Sequence, residues 1–119
     1  MAYFIDTPRF NDSRGSLCVV ESLLPFTVKR IYYIFNVSGE RGGHRHKEAV
    51  QALICLSGSC EVFVNNGVEK NIYILDEPHK CLIVEPKDWH TMDNFSKSAT
   101  LLVLASENYD ANDYVDEAY

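Results

Sequence analysis

Short apolar runs recur along the chain, each bounded by residues that turn it. SLCVVES (16–22), VKRIYYIFNV (28–37), AVQALICLS (49–57), CEVFV (60–64), KNIYILD (70–76), CLIVE (81–85) and ATLLVLAS (99–106) are rich in Val, Ile, Leu, Tyr and Phe. Such side chains fit pleated, half-buried strands. Ser57-Gly58, Asn65-Asn66-Gly67, Glu77-Pro78 and Pro86-Lys87-Asp88 separate the runs and are turn signals. EVFVNNGVEKNIYIL reads as a β-hairpin, because an Asn-Gly turn supplies the positive φ values that a tight hairpin needs. Evenly spaced strands without interleaved helices predict an all-β sandwich or small barrel. Only the tail, DANDYVDEAY, reads as a short helical segment, with Asp110 as its cap and acids in its first turn. A chain of 119 residues suffices for one core and not two, so residues 1–119 are read as a single domain.

Alternation assigns faces within a strand. In VKRIYYIFNV, Val28, Arg30, Tyr32 and Ile34 share one face, and Lys29, Ile31, Tyr33 and Phe35 share the other. Both faces are mixed, so parity leaves open whether Tyr32 or Tyr33 points inward. An arginine two residues before a tyrosine suits a barrel interior that holds a polar ligand.

Composition narrows the class. Hydrophobic residues make up 46% and charged residues 24%, as in ordinary globular domains. No apolar run approaches the roughly 20 residues of a membrane-spanning helix. The start, MAYFIDTPRF, lacks the cationic and apolar stretches of an export signal, so a cytoplasmic protein is expected. Cys18, Cys55, Cys60 and Cys81 form no CxxC and are read as reduced thiols, most of them buried. The net charge is −6, which argues against nucleic acid. Yet residues 1–47 carry Arg9, Arg14, Lys29, Arg30, Arg41, Arg45 and Lys47 against only Asp6, Asp12, Glu21 and Glu40. A basic half on an acidic protein fits a small anionic ligand bound locally.

The candidate chemistry centres on RGGHRHK (41–47). His44 and His46 share a face if the segment is extended, and so aim two imidazoles at one point. Gln51 and Gly58 follow, and Pro86, Trp89-His90 and Asn94 come later. GGHRHKEAVQALICLSG and PKDWHTMDN together resemble the two-part signature of the cupin superfamily of small jelly-roll barrels. One departure stands out: Gln51 occupies the place of the usual metal-binding glutamate. An amide is a poorer ligand than a carboxylate for hard or borderline cations, so the expectation is no metal. Weak binding by His44, His46, His90 and Gln51 stays open.

Further blocks, RGSL (14–17), PFTVKRIYYIF (25–35), WHTM (89–92), LLVLAS (101–106) and YDANDYVDEAY (109–119), make the chain similar to the WxcM-like cupin sugar-nucleotide 3,4-ketoisomerases. Arg45 and Gly43 depart from residues common in that family. The resemblance implies a metal-free homodimer, without a cofactor, that converts dTDP-4-keto-6-deoxyglucose to its 3-keto isomer on the way to 3-amino-3,6-dideoxysugars of cell-surface glycans. That reaction needs a base titrating near neutrality, a proton donor and cations near an oxyanion. On this reading His46 is the base, as histidine's ordinary pKa of about 6.5 suits it, and His44 orients it or relays the proton. Tyr32, with Tyr33 next in line, is the donor. Arg41 and Arg30 bind the pyrophosphate, while Arg14, Lys47 and Gln51 line the pocket. Trp89 and His90 contact the sugar from the opposite wall. By resemblance, Arg14 and His90 favour an axial hydroxyl at carbon 4 of the product. An N-terminal strand at YFID (3–6) is a candidate for exchange between subunits.

Plainer readings stand beside these. Lys47 can be merely solvated, Trp89 a core plug, and His79 a loop residue. Tyr109, Tyr114 and Tyr119 are read as packing the C-terminal segment. A nucleotide-sugar 3- or 3,5-epimerase, a metal-dependent cupin enzyme and a non-catalytic sugar-binding cupin are the alternative functions.

Overall fold

The computed structural model describes residues 1–119. Twelve strands run in the order β1 (Tyr3–Asp6), β2 (Arg9–Asp12), β3 (Gly15–Cys18), β4 (Arg30–Phe35), β5 (Arg41–His46), β6 (Gln51–Ser57), β7 (Cys60–Asn65), β8 (Lys70–Leu75), β9 (Lys80–Val84), β10 (Trp89–Asp93), β11 (Thr100–Ala105) and β12 (Tyr114–Val115). One sheet has the order β1-β9-β6-β11-β4, the other β12-β5-β10-β7-β8, and β2 and β3 form a separate hairpin. All pairings are antiparallel. Consecutive strands that switch between two facing sheets make a cupin jelly roll.

The core explains why some runs are continuously apolar and others alternate. On β6, Leu53 and Cys55 point between the sheets and join Val62, Val64, Leu82, Leu101 and Val103. Ala52 and Ile54 point the other way, where Leu24 and Phe26 cover them together with Cys81, Ile83 and Leu104. Both faces of β6 are thus buried from residue 51 to 55, and ALIC needs no polar partner on either side. On β4 the ambiguity of parity is resolved. Arg30, Tyr32 and Ile34 turn inward, whereas Ile31, Tyr33 and Phe35 stay exposed.

The two long edges of the sandwich are closed by side chains. At one edge Phe4 of β1 meets Tyr73 of β8 edge-on at 5.5 Å, and the Tyr73 hydroxyl donates to the Ala2 carbonyl at 2.7 Å. At the other edge Arg30 of β4 reaches Tyr114 of β12 at 3.3 Å. The polar interior lies beside this second closure.

The tail departs from the sequence expectation. Asp110 does cap, accepting from the Asn112 N–H, but the helix is a single 3-10 turn over Ala111–Asp113. Tyr114 and Val115 then pair with His46 and Arg45 of β5. An edge strand with open N–H and C=O groups offers more hydrogen bonds than a second helical turn would. The run at 16–22 is likewise shorter than expected, ending as a strand at Cys18, while Arg9–Asp12, Arg41–His46 and Trp89–Asp93 are additional strands.

Candidate active site

Five strands deliver polar side chains to one end of the barrel. His44 and His46 come from β5, His90 from β10, Tyr114 from β12, Arg30 and Tyr32 from β4, and Gln51 from β6. A bulge sets the histidines opposite each other: β10 and β5 slip register between His90 and Thr91, so that His90 faces His44 and Thr91 faces Gly42. Gly42 and Gly43 both adopt positive φ there. A side chain at Gly42 would lie 2.9 Å from the His90 carbonyl oxygen, so the two strands approach this closely only because residue 42 is glycine.

The His44 ring lies 5.1 Å from His46 and 5.2 Å from His90, in both cases steeply inclined. His46 and His90 are 6.2 Å apart. Tyr114 packs its ring on both members of the β5 pair, 4.7 Å from His44 and 4.6 Å from His46. Arg30 is held among aromatics. Its guanidinium lies 4.4 Å from the centre of the Tyr32 ring and 5.3 Å from that of Tyr109, and it donates to the Tyr114 hydroxyl. Gln51 Nε2 donates to the Tyr32 hydroxyl at 3.2 Å.

Burial sets the protonation states. It lowers the pKa of His44, with the neighbouring His46 charge adding to the effect. It also lowers that of His46, against the opposing pull of Asp113. His90, 1% exposed, is pushed down to about 4. All three imidazoles are therefore neutral at pH 7. His90 Nδ1 donates to the Asp88 carbonyl at 2.9 Å. His46 Nδ1 lies 2.9 Å from Asp113 Oδ2, and His46 Nε2 is buried without any hydrogen-bond partner. Burial, then the nearby Tyr114, raises the Tyr32 phenol, with Arg30 and Arg41 opposing. Tyr32 thus keeps its proton at neutral pH.

No group of three His, Cys, Asp or Glu side chains is arranged to hold a metal ion, and the Gln51 amide nitrogen is turned to Tyr32.

Other residues singled out in the sequence lie elsewhere. Tyr33 is 63% exposed on the outer face of β4, stacked on Phe35 at 6.0 Å. As the strand neighbour of an inward Tyr32, it must face out. Trp89 likewise faces away from its neighbour His90. It packs against Phe63 and donates from Nε1 to the Asp116 carbonyl, so it holds the tail rather than the opposite wall of the site. Arg14 is exposed at the tip of the β2–β3 hairpin, paired with Asp12 at 2.7 Å. Lys47 is exposed just beyond His46, its backbone N–H on the Asp113 carbonyl. Arg41 is exposed at the start of β5. Two residues of the site, Asp113 and Tyr114, were not among the sequence candidates. They sit in a tail with five acids between residues 107 and 117, where no spacing separates one carboxylate from the next.

A jelly roll with neutral histidines, a protonated tyrosine and an arginine gathered inside one end defines a cupin barrel furnished for acid–base chemistry. The chain belongs to the family described as WxcM-like, C-terminal (FdtA), which matches residues 2–119. It is 44% identical over 115 residues to the TDP-4-oxo-6-deoxy-alpha-D-glucose-3,4-oxoisomerase of Aneurinibacillus thermoaerophilus, covering 93% of this chain and 83% of that one. Among solved structures it is similar to a 3,4-ketoisomerase from Helicobacter canadensis, with a TM-score of 0.92, 42% identity, and coverage of 98% of this chain and 90% of the other. It is also similar to a variant of the 3,4-ketoisomerase QdtA from Thermoanaerobacterium thermosaccharolyticum in complex with TDP-4-keto-6-deoxyglucose. There the TM-score is 0.94 and the identity 37%, over 98% of this chain and 87% of that one.

Proposed function

We propose that this chain is a sugar-nucleotide 3,4-ketoisomerase that converts TDP-4-keto-6-deoxyglucose to its 3-keto isomer. The observation that carries the reading is His46 Nε2: a buried, neutral imidazole nitrogen with no partner, set among His44, Tyr114 and the Arg30–Tyr32 pair. Relatives of 37–44% identity named for this reaction or its substrate support it.

In this reading His46 Nε2 removes the proton from carbon 3. The C–H electrons form a carbon 3–carbon 4 double bond, and oxygen 4 becomes the enediolate oxyanion, which takes up a proton. Oxygen 3 then releases its proton as carbon 3 becomes the ketone, while carbon 4 is protonated. Tyr32 supplies a proton, and His44 relays protons between the two carbons. Arg30, set over Tyr32, stabilises the oxyanion rather than gripping the pyrophosphate at the mouth. That task falls to Arg41, while Gln51 and His90 shape the sugar pocket.

The active form is a homodimer. Arg14 contacts only its own hairpin, whose Phe10 and Leu17 are 62% and 57% exposed. Burial of these side chains against a second copy would stabilise the pair and carry Arg14 toward the other barrel, where Arg14 and His90 would favour an axial carbon-4 hydroxyl. The enzyme works in the cytoplasm, where its four free thiols stay reduced, and its product feeds amino-deoxysugars of surface glycans such as lipopolysaccharide O-antigen.

The test is to follow the protein with TDP-4-keto-6-deoxyglucose in deuterated water by NMR, with and without a chelator. A 3-keto product carrying deuterium at carbon 4, formed equally in both samples, supports the proposal. Exchange at carbon 3 or 5 with the 4-keto group retained would make it an epimerase, and dependence on an added metal would overturn the metal-free mechanism.

A further inference from the structure

We propose that Asp113 is the positioning residue that fixes His46 in the tautomer able to accept a proton, so that the C-terminal turn is part of the catalytic machinery. The inference rests on the ketoisomerase reading for what the base does, and on geometry for which nitrogen is the base.

His46 Nδ1 lies 2.9 Å from Asp113 Oδ2. An ionised carboxylate only accepts hydrogen bonds, so a neutral imidazole in this contact carries its proton on Nδ1. The lone pair is then on Nε2, the atom that is buried and has no partner. Asp113 cannot easily turn away. Its Oδ1 accepts from the Glu48 N–H at 2.7 Å, its Oδ2 also accepts from the Ala49 N–H at 3.3 Å, and its carbonyl accepts from the Lys47 N–H at 2.9 Å. The carboxylate thus holds both the base and the turn that follows it. Burial of the carboxyl works against its charge, but the Glu48 N–H, His46 and the Ala49 N–H hold Asp113 below the usual range. The same carboxylate opposes the loss of basicity that burial imposes on His46. The groups around the His46 ring are His44, His90, Tyr114 and Arg30. None of these sits on Nδ1, where Asp113 is the hydrogen-bond acceptor.

A purely structural anchor would account for the backbone contacts, so the test needs a readout that anchoring does not move. In the full-length protein labelled with 15N-histidine at pH 8, His46 is expected to show a protonated Nδ1 and an unprotonated Nε2. Asp113→Asn presents an amide in place of the carboxylate, and its NH2 group favours the opposite tautomer. It is expected to reverse the two nitrogen signals and to lower kcat for TDP-4-keto-6-deoxyglucose by about 10²–10⁴-fold, with KM changed by less than about threefold. A wild-type His46 protonated on Nε2 would overturn the proposal, and so would an Asp113→Asn enzyme that keeps its kcat. A loss of activity that only tracks the loss of folded protein, with the tautomer unchanged, would do the same. If the wild type turns over no sugar nucleotide, the ketoisomerase reading fails, and the NMR assignment alone decides the role of Asp113.

Discussion

Gln51 and Tyr32 are joined across the barrel wall, the amide nitrogen donating to the phenol oxygen at 3.2 Å. Both strands pair with β11, and Arg30 and Gln51 lie opposite the same residue, Ala105. The acceptor side of the phenol is engaged by Gln51, which leaves its O–H free to donate into the interior. Tyr32→Phe removes the donor and keeps the ring under Arg30. The expected result is a kcat lowered by about 10²–10³-fold with little change in KM, in a protein whose circular dichroism is unaltered. Steady-state kinetics would settle this, and full activity would remove Tyr32 from the mechanism.

The pH profile follows from burial. His44 and His46 both titrate below their ordinary value of 6.5. A base must be unprotonated to act, so the acidic limb of kcat/KM is expected to have its midpoint below pH 6.5. An acidic limb at or above pH 7 would assign the limiting base to a group other than these histidines.

Much of this was legible in the sequence, and the limits have physical reasons. The apolar runs at 49–57 and 99–106 marked β6 and β11 because burial on both faces leaves a continuous hydrophobic signature. RGGHRHK and WHTM contain too few apolar residues to announce β5 and β10 by hydropathy, since their inward positions hold imidazoles. There the histidine spacing carried the information. Tyr32 and Tyr33 could not be separated by parity, because both faces of β4 carry aromatics. Their neighbours decided it, with Gln51 waiting inside and nothing in this chain covering Tyr33. Membership of the second cupin block with His90 points Trp89 at the sugar, although adjacent strand residues face opposite ways. Asp113 was invisible for a different reason. It meets His46 across 67 positions, and a long-range hydrogen bond leaves no periodic trace.

Acid stability should report on His90. Its folded pKa of about 4 lies below the ordinary 6.5, so the unfolded chain binds more protons between those values. Stability is then fully present above pH 6.5 and declines as pH falls toward 4, by about 3 kcal/mol for this one group. His90→Gln cannot titrate, and it is expected to show a smaller loss between pH 7 and 4.5 in urea denaturation than the wild type. Equal losses in the two proteins would show that His90 is not the group responsible.

Neighbouring glycines offer a paired test of how the site is built. Gly42 and Gly43 have nearly equal φ values, +87° and +84°, so an alanine at either meets the same left-handed backbone penalty of roughly 1–2 kcal/mol. Their surroundings differ. A Cβ at Gly43 meets nothing within 4 Å, whereas at Gly42 it comes within 2.9 Å of the His90 carbonyl oxygen and 3.2 Å of the Thr91 Cα and Met92 Sδ. Two of those contacts are backbone of β10 and cannot rotate away. Gly43→Ala should therefore lose only the backbone term and retain most of its kcat. Gly42→Ala should lose about 1–2 kcal/mol more and push β10 from β5, carrying His90 away from His44. Urea midpoints and kcat measured for both variants would check this. Equal stability and equal kcat would mean that the close approach at the bulge is not what sets the histidines.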